Sequence, residues 1–508
     1  MYADGLTETS TVTPSGSTDN ATRQNSRAET ARVSRPPVAL LGVAFDNLTL
    51  RETVERIEKM IASRRPHHVV TANVDFLAQA RGDMELHRIL LDAHLVLCDG
   101  TPLVWASRLF GNSLSERVAG ADVVPELIRL AAKNNHRLFF LGATEAANTQ
   151  AIAKLRQQFP ALAISHYSPP FRSLLEMNDA EIIRRIRDAK PDLLLVAFGC
   201  PKAEKWLAMH YRELGVPVVM GVGATIDFLA GQIKRAPLWM QRGGVEWIYR
   251  LRQEPQRLIR RYATDLNYFC GAMLRQWWTM QSQTVSNGIQ DRTSVIQSEN
   301  TWQWVKAGSR LNKDSVESDA ISWQEMADAN RDCLLELSRT NSIDSTGAAF
   351  LVHLKKQLRR SGRQLILLSP SVAVRRVLRV MQLEGYFEVA GNAFEARAVI
   401  EARTNERFAC LGRNSNRPPG LRGEITATNA EQVAECTKAA IDRSNSTTES
   451  CIDLAAVRFV DSGGVKLLLH AVEIARAHGV HLRFSDPCSS VRNVLRVSNL
   501  DHLLEQSK

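Results

Sequence analysis

The sequence predicts an α/β protein in which a mainly parallel sheet covered by helices is followed by two small α/β modules. From Val38 onward, short apolar runs rich in β-branched residues alternate with amphipathic stretches of helical period. This alternation is typical of a parallel sheet with helices packed on it. The second half contains an internal repeat: Ser342–Gly347 aligns with Phe459–Gly464 at an offset of 117 residues, which indicates a duplicated unit.

Strands and helices are predicted to alternate along the first block. The strands are expected at residues 38–43, 68–71, 95–98, 137–141, 193–198 and 218–222. The helices are expected at residues 50–62, 74–80, 123–132, 145–158, 179–189 and 204–214.

The chain of 508 residues is long enough for about three domains. Two polar stretches, 281–300 and 405–420, are predicted to be linkers. Residues 1–36 contain twelve Ser or Thr and few large apolar side chains, a composition that predicts a disordered tail. The predicted domains are therefore 37–280, 301–404 and 421–508.

Composition narrows the class of protein. The eight cysteines are scattered, with no CxxC pair and no Cys/His cluster, so neither a disulfide framework nor a zinc site is expected. The sequence shows no signal-peptide pattern and no run of about 18 apolar residues. We therefore expect a cytoplasmic protein that is not integral to the membrane. Its net charge of +10 favours an anionic partner.

Three predicted strands end in small-residue turns that lead into helices: Leu141–Thr144, Phe198–Lys202 and Gly221–Thr225. Such turns present backbone N–H groups and a helix N-terminus to a phosphate, at the sheet edge where parallel strands bind ligands. Any one of them is equally explained by ordinary turn geometry, but three in one block favour a nucleotide. None matches a P-loop or a GxGxxG fingerprint, which argues against ATP hydrolysis and NAD binding.

Asp99 directly follows the apolar run Leu95–Cys98. A carboxylate at the end of a buried strand is costly unless it is hydrogen-bonded or used in chemistry. It is either a general base that deprotonates an acceptor hydroxyl or a cap for the following helix. On spacing alone, the capping role is favoured.

The first block resembles the WecG/TagA/CpsF glycosyltransferases from about Val38 to about Tyr262. The matching segments are Thr71–Asn73, Asp99–Gly100, Glu116–Arg117, Gly120, Asp122, Phe198–Trp206, Gly221–Gly231, Arg235–Pro237 and Glu246–Leu251. The resemblance implies a Rossmann-like domain and an inverting, metal-independent transfer from a UDP-sugar to a polyprenyl-diphosphate-linked sugar. No cofactor and no metal are expected, in agreement with the lack of an Asp-x-Asp pair.

By this resemblance, Asp99 stands at the position of the catalytic base, and Thr71 and Asn73 stand in the substrate pocket. The further substrate-binding candidates are Gly100, Arg117, Gly142, Gly199, Lys202, Glu204, Gly223 and Asp227. A leaving diphosphate without a metal needs cationic or N–H donors, which Lys202, Arg117 and the glycine turns would supply. Lys202 is equally explained as a solvated surface lysine. Ala203 replaces the family's Gln, which removes an amide able to bond the donor.

Residues 232–280 contain nine Lys or Arg, three acidic residues and four Trp, for a net charge of +6. This favours an amphipathic segment on an anionic membrane over nucleic-acid binding, because no known nucleic-acid-binding module surrounds it. A packed helix is compatible with the same pattern. By resemblance, this appendage is expected to close over the active site and to contact phosphates. We expect the protein to be peripheral on the inner face of the cell membrane. The arginines expected to contact phosphates or the membrane are Arg235, Arg250, Arg257, Arg260 and Arg261.

Each repeat contains a β run, an Asp-Ser-x-Gly turn, a helix and a second strand. A Ser at such a turn is an N-cap by default, and it is also an exposed position where a phosphate would meet the helix dipole. The two modules resemble STAS domains of the anti-sigma-factor-antagonist type. That resemblance implies protein partners, such as a kinase or an anti-sigma-like protein, and makes Ser345 and Ser462 candidate phosphorylation sites.

Two functions remain open at this point. The first is a glycosyltransferase of exopolysaccharide or cell-wall glycan assembly that is regulated through its STAS pair. The second is a non-catalytic regulator of the sigma-factor partner-switching type with a sugar-nucleotide-sensing domain. Asp99, Thr71 and Asn73 favour the first function, and Ala203 favours the second.

Overall fold

The computed structural model describes residues 35–253, 255–283, 293–298, 302–396, 399, 409–411, 420–429, 433–435, 438 and 449–504. The predicted tail, 1–36, lies almost wholly outside the described residues, as do parts of both predicted linkers.

The chain enters the first domain through an antiparallel hairpin, β1 (Val38–Leu40) and β2 (Val43–Phe45). The sequence predicted one strand here that belonged to the main sheet. The prediction was wrong because Leu41 and Gly42 both adopt positive φ and reverse the chain.

The main sheet has six strands, all parallel, in the order β4-β3-β8-β7-β5-β6. The parallel sheet and five of its strands were predicted, and β6 was not. The strands are β3 (His67–Ala72), β4 (Leu95–Cys98), β5 (Leu138–Gly142), β6 (Ile164–Tyr167), β7 (Leu193–Ala197) and β8 (Val218–Gly221). This order makes β3 the neighbour of both β4 and β8, so the loops that follow these three strands meet at one edge of the sheet.

Helices cover both faces of the sheet. They are α1 (Leu50–Ala62), α2 (Val74–Ala80), α3 (Met84–Asp92), α4 (Thr101–Arg108), α5 (Gly120–Asn134), α6 (Glu145–Gln158), α7 (Asp179–Ala189), α8 (Lys202–His210) and α9 (Thr225–Ala230), with a 3₁₀ turn at Leu174–Glu176. The central strands are apolar along their length and almost fully buried, as expected for a parallel sheet covered on both faces.

The basic segment that follows forms three helices, α10 (Leu238–Arg242), α11 (Glu246–Gln253) and α12 (Pro255–Gln281), called here the appendage. The long helix α12 packs on α2 and the hairpin. The Gln276 side chain accepts from the Leu41 amide at 2.8 Å and donates to the Ala39 carbonyl at 3.1 Å. Among the described residues, no helix combines the length and hydropathy needed to cross a bilayer.

The first repeat unit, called module 1, has a sheet in the order β15-β14-β12-β10-β9 and a small pair β11-β13. Its strands are β9 (Ser294–Ser298), β10 (Trp302–Lys306), β11 (Arg310–Leu311), β12 (Asp332–Glu336), β13 (Ser342–Ile343), β14 (Leu365–Leu368) and β15 (Glu388–Ala390). Its helices are α13 (Lys313–Ser318), α14 (Ala320–Asp328), α15 (Ser345–Arg360) and α16 (Val372–Val380).

The second unit, module 2, has a sheet in the order β16-β17-β18-β19. Its elements are β16 (Ala409–Leu411), β17 (Gly420–Ile425), β18 (Glu449–Val460), α17 (Ser462–Ala477), β19 (His481–Ser485) and α18 (Ser489–Val497), with 3₁₀ turns at Ala427–Asn429 and Asp501–Leu503.

Both predicted linkers contain a strand. Strand β9 lies inside 281–300 and pairs antiparallel with β10, while β16 lies inside 405–420 and pairs antiparallel with β17. The sequence did not reveal them because each is only a few residues long and its stability comes from pairing with a partner strand rather than from a long apolar pattern.

The internal repeat is confirmed at the level of single elements. Helices α15 and α17 are each 16 residues long and start 117 residues apart, and α16 and α18 end at the same offset. In both modules a Cβ on the glycine of Asp-Ser-x-Gly would overlap a backbone carbonyl, that of Leu311 at Gly347 and that of Ile425 at Gly464. The repeated glycine is therefore required for the close packing of helix on strand.

Candidate functional site

The carboxyl ends of β3, β4 and β8 bring a carboxylate and two hydroxyls together around Gly120. Asp99 Oδ2 accepts from the Gly120 amide at 3.4 Å. A Cβ on Gly120 would lie 3.4 Å from Thr71 Oγ1 and 3.8 Å from Thr225 Oγ1. Because Gly120 has no side chain, the space between Asp99, Thr71 and Thr225 stays open. Thr225 was not among the predicted site residues.

Asp99 does not cap the helix that follows it. The N-cap of α4 is Gly100, and this cap makes no side-chain hydrogen bond. Burial raises the pKa of Asp99 to about 6, and the nearby Arg117 guanidinium opposes this rise. A carboxyl group that titrates close to neutral pH is suited to accept a proton from a hydroxyl. The geometry therefore favours the general-base interpretation over capping.

Asn73 lies beside the Asp99–Gly100 turn, since a Cβ on Gly100 would be 3.8 Å from the Asn73 Cβ. The Asn73 side-chain oxygen accepts from the Phe76 amide at 3.2 Å and caps α2. The capping bond fixes the orientation of the amide side chain at the site.

Two arginines predicted to contact phosphates are held in ion pairs. Arg117 bonds Asp122 at 2.8 Å and Glu246 at 3.0 Å. Arg235 bonds Asp122 and lies 3.5 Å from Glu246. Two cations and two carboxylates compensate each other, so this network connects the appendage to the sheet edge rather than presenting a net positive charge. Glu246 in α11 was not among the predicted site residues.

The appendage also touches the turn that follows Asp99. Gly244 has φ of +73°, and a Cβ there would overlap the Thr101 side chain at the start of α4. The appendage thus lies against the site, as the resemblance implies. Arg250 lies over the Phe228 ring at 5.8 Å, and Arg261 lies 3.8 Å from Asp75.

Two more appendage arginines, Arg257 and Arg260, were predicted to contact phosphates or the membrane. Arg260 is exposed on α12. The side chain of Arg257 lies outside the described part of the chain.

Of the three glycine turns, two are open and one is packed. Gly199 and Gly223 have φ of +78° and +52°, and a Cβ on either would meet no atom within 4 Å. Gly142 is different, because a Cβ there would lie 2.8 Å from the Phe198 ring and 2.9 Å from the Ala197 carbonyl oxygen. Gly142 is therefore required for packing against Phe198 and Ala197, and its contact with substrate stays a prediction.

Lys202 begins α8 next to the open turn at Gly199. Its ammonium group lies 5.1 Å from the Phe171 ring centre and 5.3 Å from that of Phe198, and it donates to the Arg172 carbonyl. Burial lowers the pKa of Lys202. The N-cap of α8 makes no side-chain bond, and the Ala203 amide donates to the Gly199 carbonyl at 2.9 Å, which ties the start of the helix to the open turn.

Ala203 and Glu204 point into the protein rather than into an open pocket. Ala203 is 1% exposed and belongs to the apolar core that contains Trp206. Glu204 is 3% exposed, and burial raises its pKa to about 7. A Cβ on Gly221 would overlap the Glu204 carboxylate. The Ala203 substitution therefore changes core packing under the turn, not a side chain exposed to the donor.

Asp227 lies on the short helix α9, after the Gly223 turn, and its carbonyl accepts from the amides of Gln232 and Ile233. Among the described residues, no group of three or more His, Cys, Asp or Glu side chains is arranged to hold a metal ion.

The two candidate phosphorylation serines are docked on the first domain. Ser345 is fully buried, and its hydroxyl donates to the Ala39 carbonyl at 2.6 Å. Ser462 is half-buried, and Glu85 accepts from its amide at 2.8 Å and from its hydroxyl at 2.6 Å. Neither serine is an N-cap or freely exposed, contrary to prediction, because the preceding Asp344 and Asp461 cap the helices.

Comparison with known proteins agrees with this architecture. Residues 38–283 match the profile described as "Glycosyl transferase WecG/TagA/CpsF family". Residues 288–396 match "STAS domain" and residues 420–505 match "Mlab, STAS domain".

Curated relatives match the first domain. An N-acetylglucosaminyldiphosphoundecaprenol N-acetyl-beta-D-mannosaminyltransferase of Staphylococcus aureus strain MW2 is 31% identical over 236 residues, covering 46% of this chain and 89% of the relative. A protein of the same name from strain MRSA252 is 32% identical over 226 residues, covering 44% and 85%. The chain belongs to the WecG/TagA/CpsF glycosyltransferase family and carries two STAS domains at its carboxyl end.

Two solved structures also match. The anti-sigma factor antagonist SpoIIAA in its unphosphorylated form is 22% identical, with a TM-score of 0.17, and covers 20% of this chain and 88% of that structure. A putative anti-sigma factor antagonist from Thermotoga maritima is 23% identical, with a TM-score of 0.18, and covers 21% and 93%.

Proposed function

We propose that this protein is an inverting, metal-independent glycosyltransferase that uses a UDP-sugar donor and a polyprenyl-diphosphate-linked sugar acceptor. The observation that carries the proposal is Asp99, a carboxyl group with a pKa raised to about 6, beside Thr71 and Thr225 at the edge of the sheet. The names of the relatives make N-acetylmannosamine the first sugar to test and an N-acetylglucosaminyl-diphospho-lipid the first acceptor.

In the proposed reaction, Asp99 takes the proton of an acceptor hydroxyl as that oxygen attacks the anomeric carbon of the donor. The bond from that carbon to the diphosphate breaks, and UDP leaves with the electron pair. Attack from the side opposite the leaving group inverts the configuration. The Gly199 and Gly223 turns, the N-terminus of α8 and Lys202 would bind the diphosphate as its charge develops.

We further propose that the protein works on the cytoplasmic face of the membrane, in exopolysaccharide or cell-wall glycan assembly. Support comes from α12, where Ile259, Leu266, Leu274 and Trp278 are each more than half exposed. Leu266, Leu274 and Trp278 lie at intervals of four or eight residues and form one stripe along the helix. An exposed apolar stripe on a basic helix is typical of a segment that lies on an anionic bilayer.

We also propose that the STAS modules regulate the transferase domain. Module 2 contacts α3 and α8, and α8 begins at the open Gly199 turn. Because module 2 rests on the helix that starts at the donor turn, a partner that removes this module would change the support of that turn.

The direct test is UDP release with UDP-N-acetylmannosamine and an N-acetylglucosaminyl-diphospho-lipid of short chain length. We expect turnover by the wild type and a loss of about 10² to 10⁴ in kcat for Asp99→Asn, because the variant keeps the shape but not the base. Tight donor binding without turnover of any UDP-sugar would instead support the non-catalytic regulator.

A further inference from the structure

A groove lies between the appendage and module 1. Its walls are the end of α12 and the helix α16, which pack against each other. The main cavity measures about 690 Å³ and is lined by Gly271, Leu274, Arg275, Trp277, Trp278, Thr279, Arg376, Arg379 and Val380. A second cavity of about 450 Å³ shares Gly271, Arg275 and Val380 with it and continues towards Arg81 and Tyr268. Together they are called here the basic groove.

The charged residues that line the basic groove are all arginines. Its lining contains the guanidinium groups of Arg81, Arg275, Arg376 and Arg379, and no acidic residue lines either cavity. One acidic side chain lies at the margin, since Glu384 bonds Arg379 at 2.9 Å. Arg81 lies over the Tyr268 ring at 5.0 Å. Four cations and one adjoining carboxylate leave a net positive groove.

The groove is also apolar, and it is continuous with the exposed stripe of α12. Leu274 and Trp278 line the groove and belong to that stripe, with 64% and 66% of their surface exposed. On α16, Val372 lies one turn before Arg376 and is 84% exposed. Both helices therefore carry solvent-exposed apolar side chains and arginines. Arginines bind the phosphate of a phospholipid head group, and apolar side chains contact the acyl chains of the same lipid.

The two repeats differ at this position. At the offset of 117 residues, Ser489 stands for Val372 and Asn493 stands for Arg376, whereas Arg496 still stands for Arg379. Of the residues that α16 brings to the groove lining, Arg379 and Val380 keep their counterparts in α18, Arg496 and Val497, and only Arg376 is replaced, by Asn493. Module 1 therefore contributes one more arginine than the same face of module 2, and it forms a wall of the groove because α16 packs on the appendage.

We propose that the basic groove binds the head group of an anionic membrane phospholipid, so that module 1 forms part of the membrane-binding surface. The proposal rests on the proposed membrane location of the protein but not on its transfer reaction. Trp277 and Trp278 suit either a bilayer interface or a stacked base. Nucleic acid is the less favoured ligand, because Leu274 and Val380 also line the groove with aliphatic surface that suits acyl chains.

The groove also determines how the site would face the bilayer. Arg261, next to Asp75, and Arg275, in the groove, are fourteen positions apart on α12, a length of about 21 Å at 1.5 Å per residue. A lipid bound at the groove would hold the far end of α12 on the membrane. The near end, which lies against the site, would then be held at the surface from which a lipid-linked acceptor arrives.

The test is a vesicle-binding experiment on the full chain with the double variant Arg376→Ala and Arg379→Ala. The matched control is Arg492→Ala with Arg496→Ala, which removes two exposed arginines from α18. Vesicles of phosphatidylcholine alone are compared with vesicles that contain phosphatidylglycerol. With about 1 kcal/mol per basic residue at an anionic surface, we expect about 30-fold weaker binding to phosphatidylglycerol vesicles for the module 1 variant and a change below about threefold for the control.

Equal losses for both variants would overturn the proposal, because they would show a diffuse charge effect. Equal binding of the wild type to both kinds of vesicle would also overturn it, as would competition by millimolar free phosphate. If the module 1 variant instead lost affinity for a single-stranded oligonucleotide and kept its affinity for vesicles, the groove would be a nucleic-acid site. UDP release in detergent solution, without vesicles, is measured separately and tests the proposed transfer reaction alone.

Discussion

At the scale of single residues, burial does more than charge pairing to prepare the site. Asp99 follows β4 and Glu204 lies in α8, which follows β7, so both lie at the carboxyl-terminal edge of the sheet. Burial raises the pKa of both carboxyl groups. Asp99 is half-buried and faces shared space with two hydroxyls. Glu204 is enclosed beneath a turn. We therefore expect the ionisation of Asp99 to affect the rate of transfer and that of Glu204 to affect the stability of the fold.

The rate of transfer should follow the ionisation of Asp99. A general base works only when it is deprotonated, and burial raises the pKa of Asp99 to about 6. We expect kcat/KM to be independent of pH above about 7 and to fall about tenfold per pH unit below 6. The measurement is a pH–rate profile of UDP release from pH 5 to pH 8.5. A limb that stays flat down to pH 5 would mean that Asp99 is not the base.

The Glu204→Gln variant should be more stable than the wild type at alkaline pH. Burial raises the pKa of Glu204 to about 7 in the folded protein, above its ordinary value of 4.5. The ionised wild type therefore loses stability as pH rises from about 4.5 to 7, and the neutral amide does not. We expect a difference in the free energy of unfolding of about 3 kcal/mol at pH 8.

The difference for Glu204→Gln should shrink as pH falls towards 4.5 and disappear below it, where the wild-type side chain is protonated in both states. Denaturant unfolding at pH 5, 6.5 and 8 measures it. A constant difference across this range would contradict the assignment of a raised pKa.

At the scale of elements, the two repeats use the same corner to dock on the transferase but by different chemistry. The start of α15 is buried against the hairpin, and Ala39, Ala44 and Leu91 belong to the same apolar core as module 1. The start of α17 docks by polar contacts instead. Glu85 holds Ser462, and Lys205 lies 3.0 Å from the same carboxylate. A duplicated element has thus become one mainly apolar and one mainly polar interface.

An added negative charge at Ser462 should detach module 2. In Ser462→Glu, a carboxylate would meet that of Glu85, so the hydroxyl hydrogen bond would be replaced by repulsion that also works against the bond from the Ser462 amide. With about 1.5 to 3 kcal/mol at stake, the docking equilibrium should shift about 10- to 100-fold. Fluorescence transfer between labels on the transferase domain and on module 2 measures docking.

The matched control for Ser462→Glu is Ser489→Glu, which places the same charge at the exposed first position of α18. There an acidic residue complements the helix dipole, so we expect docking to be retained. If Ser462→Glu shows the same fluorescence energy transfer between the two labels as the wild type, phosphorylation of Ser462 does not act by undocking module 2.

At the scale of the whole molecule, the interfaces predict which part of the chain can move. Module 2 is connected to the first domain by charged contacts. Arg88 bonds Glu424 at 2.8 Å and lies 4.4 Å from the Phe459 ring, and Lys466 pairs with Asp179. Module 1 is attached mainly through a shared apolar core, beside an ion pair between Arg359 and Asp92 at 2.7 Å. Salt screens exposed ion pairs and leaves apolar burial intact.

Raising the salt concentration should therefore release module 2 before module 1. We expect fluorescence transfer to module 2 to fall between 0.1 and about 1 M NaCl, while transfer to module 1 stays constant. Lys466→Ala should shift the midpoint for module 2 to lower salt. Simultaneous release of both modules would show that they dock as one unit.

Some of the fold could be read from the sequence because it depends on local patterns. Helices α1, α2, α6 and α7 were predicted with the bounds that the structure shows. Thr49, Asn73, Thr144 and Asn178 cap these helices by side-chain bonds, and such caps are encoded within a few residues. The edge strand β6 was missed because its residues, Ile164–Tyr167, include Ser and His and form no apolar run, whereas β4 and β8 have the same length but are apolar.

The sequence by itself determined the alternation of strands and helices, the duplication of the carboxyl-terminal module and the family to which Asp99 and its motifs belong. Each of these depends on residues near one another along the chain or on a fixed spacing. Only the tertiary structure decided that Arg117 and Arg235 are paired with acids, that Gly142 is packed while Gly199 is open, and that Ser345 and Ser462 face the transferase. The physical reason is that these outcomes depend on contacts between residues far apart in the chain.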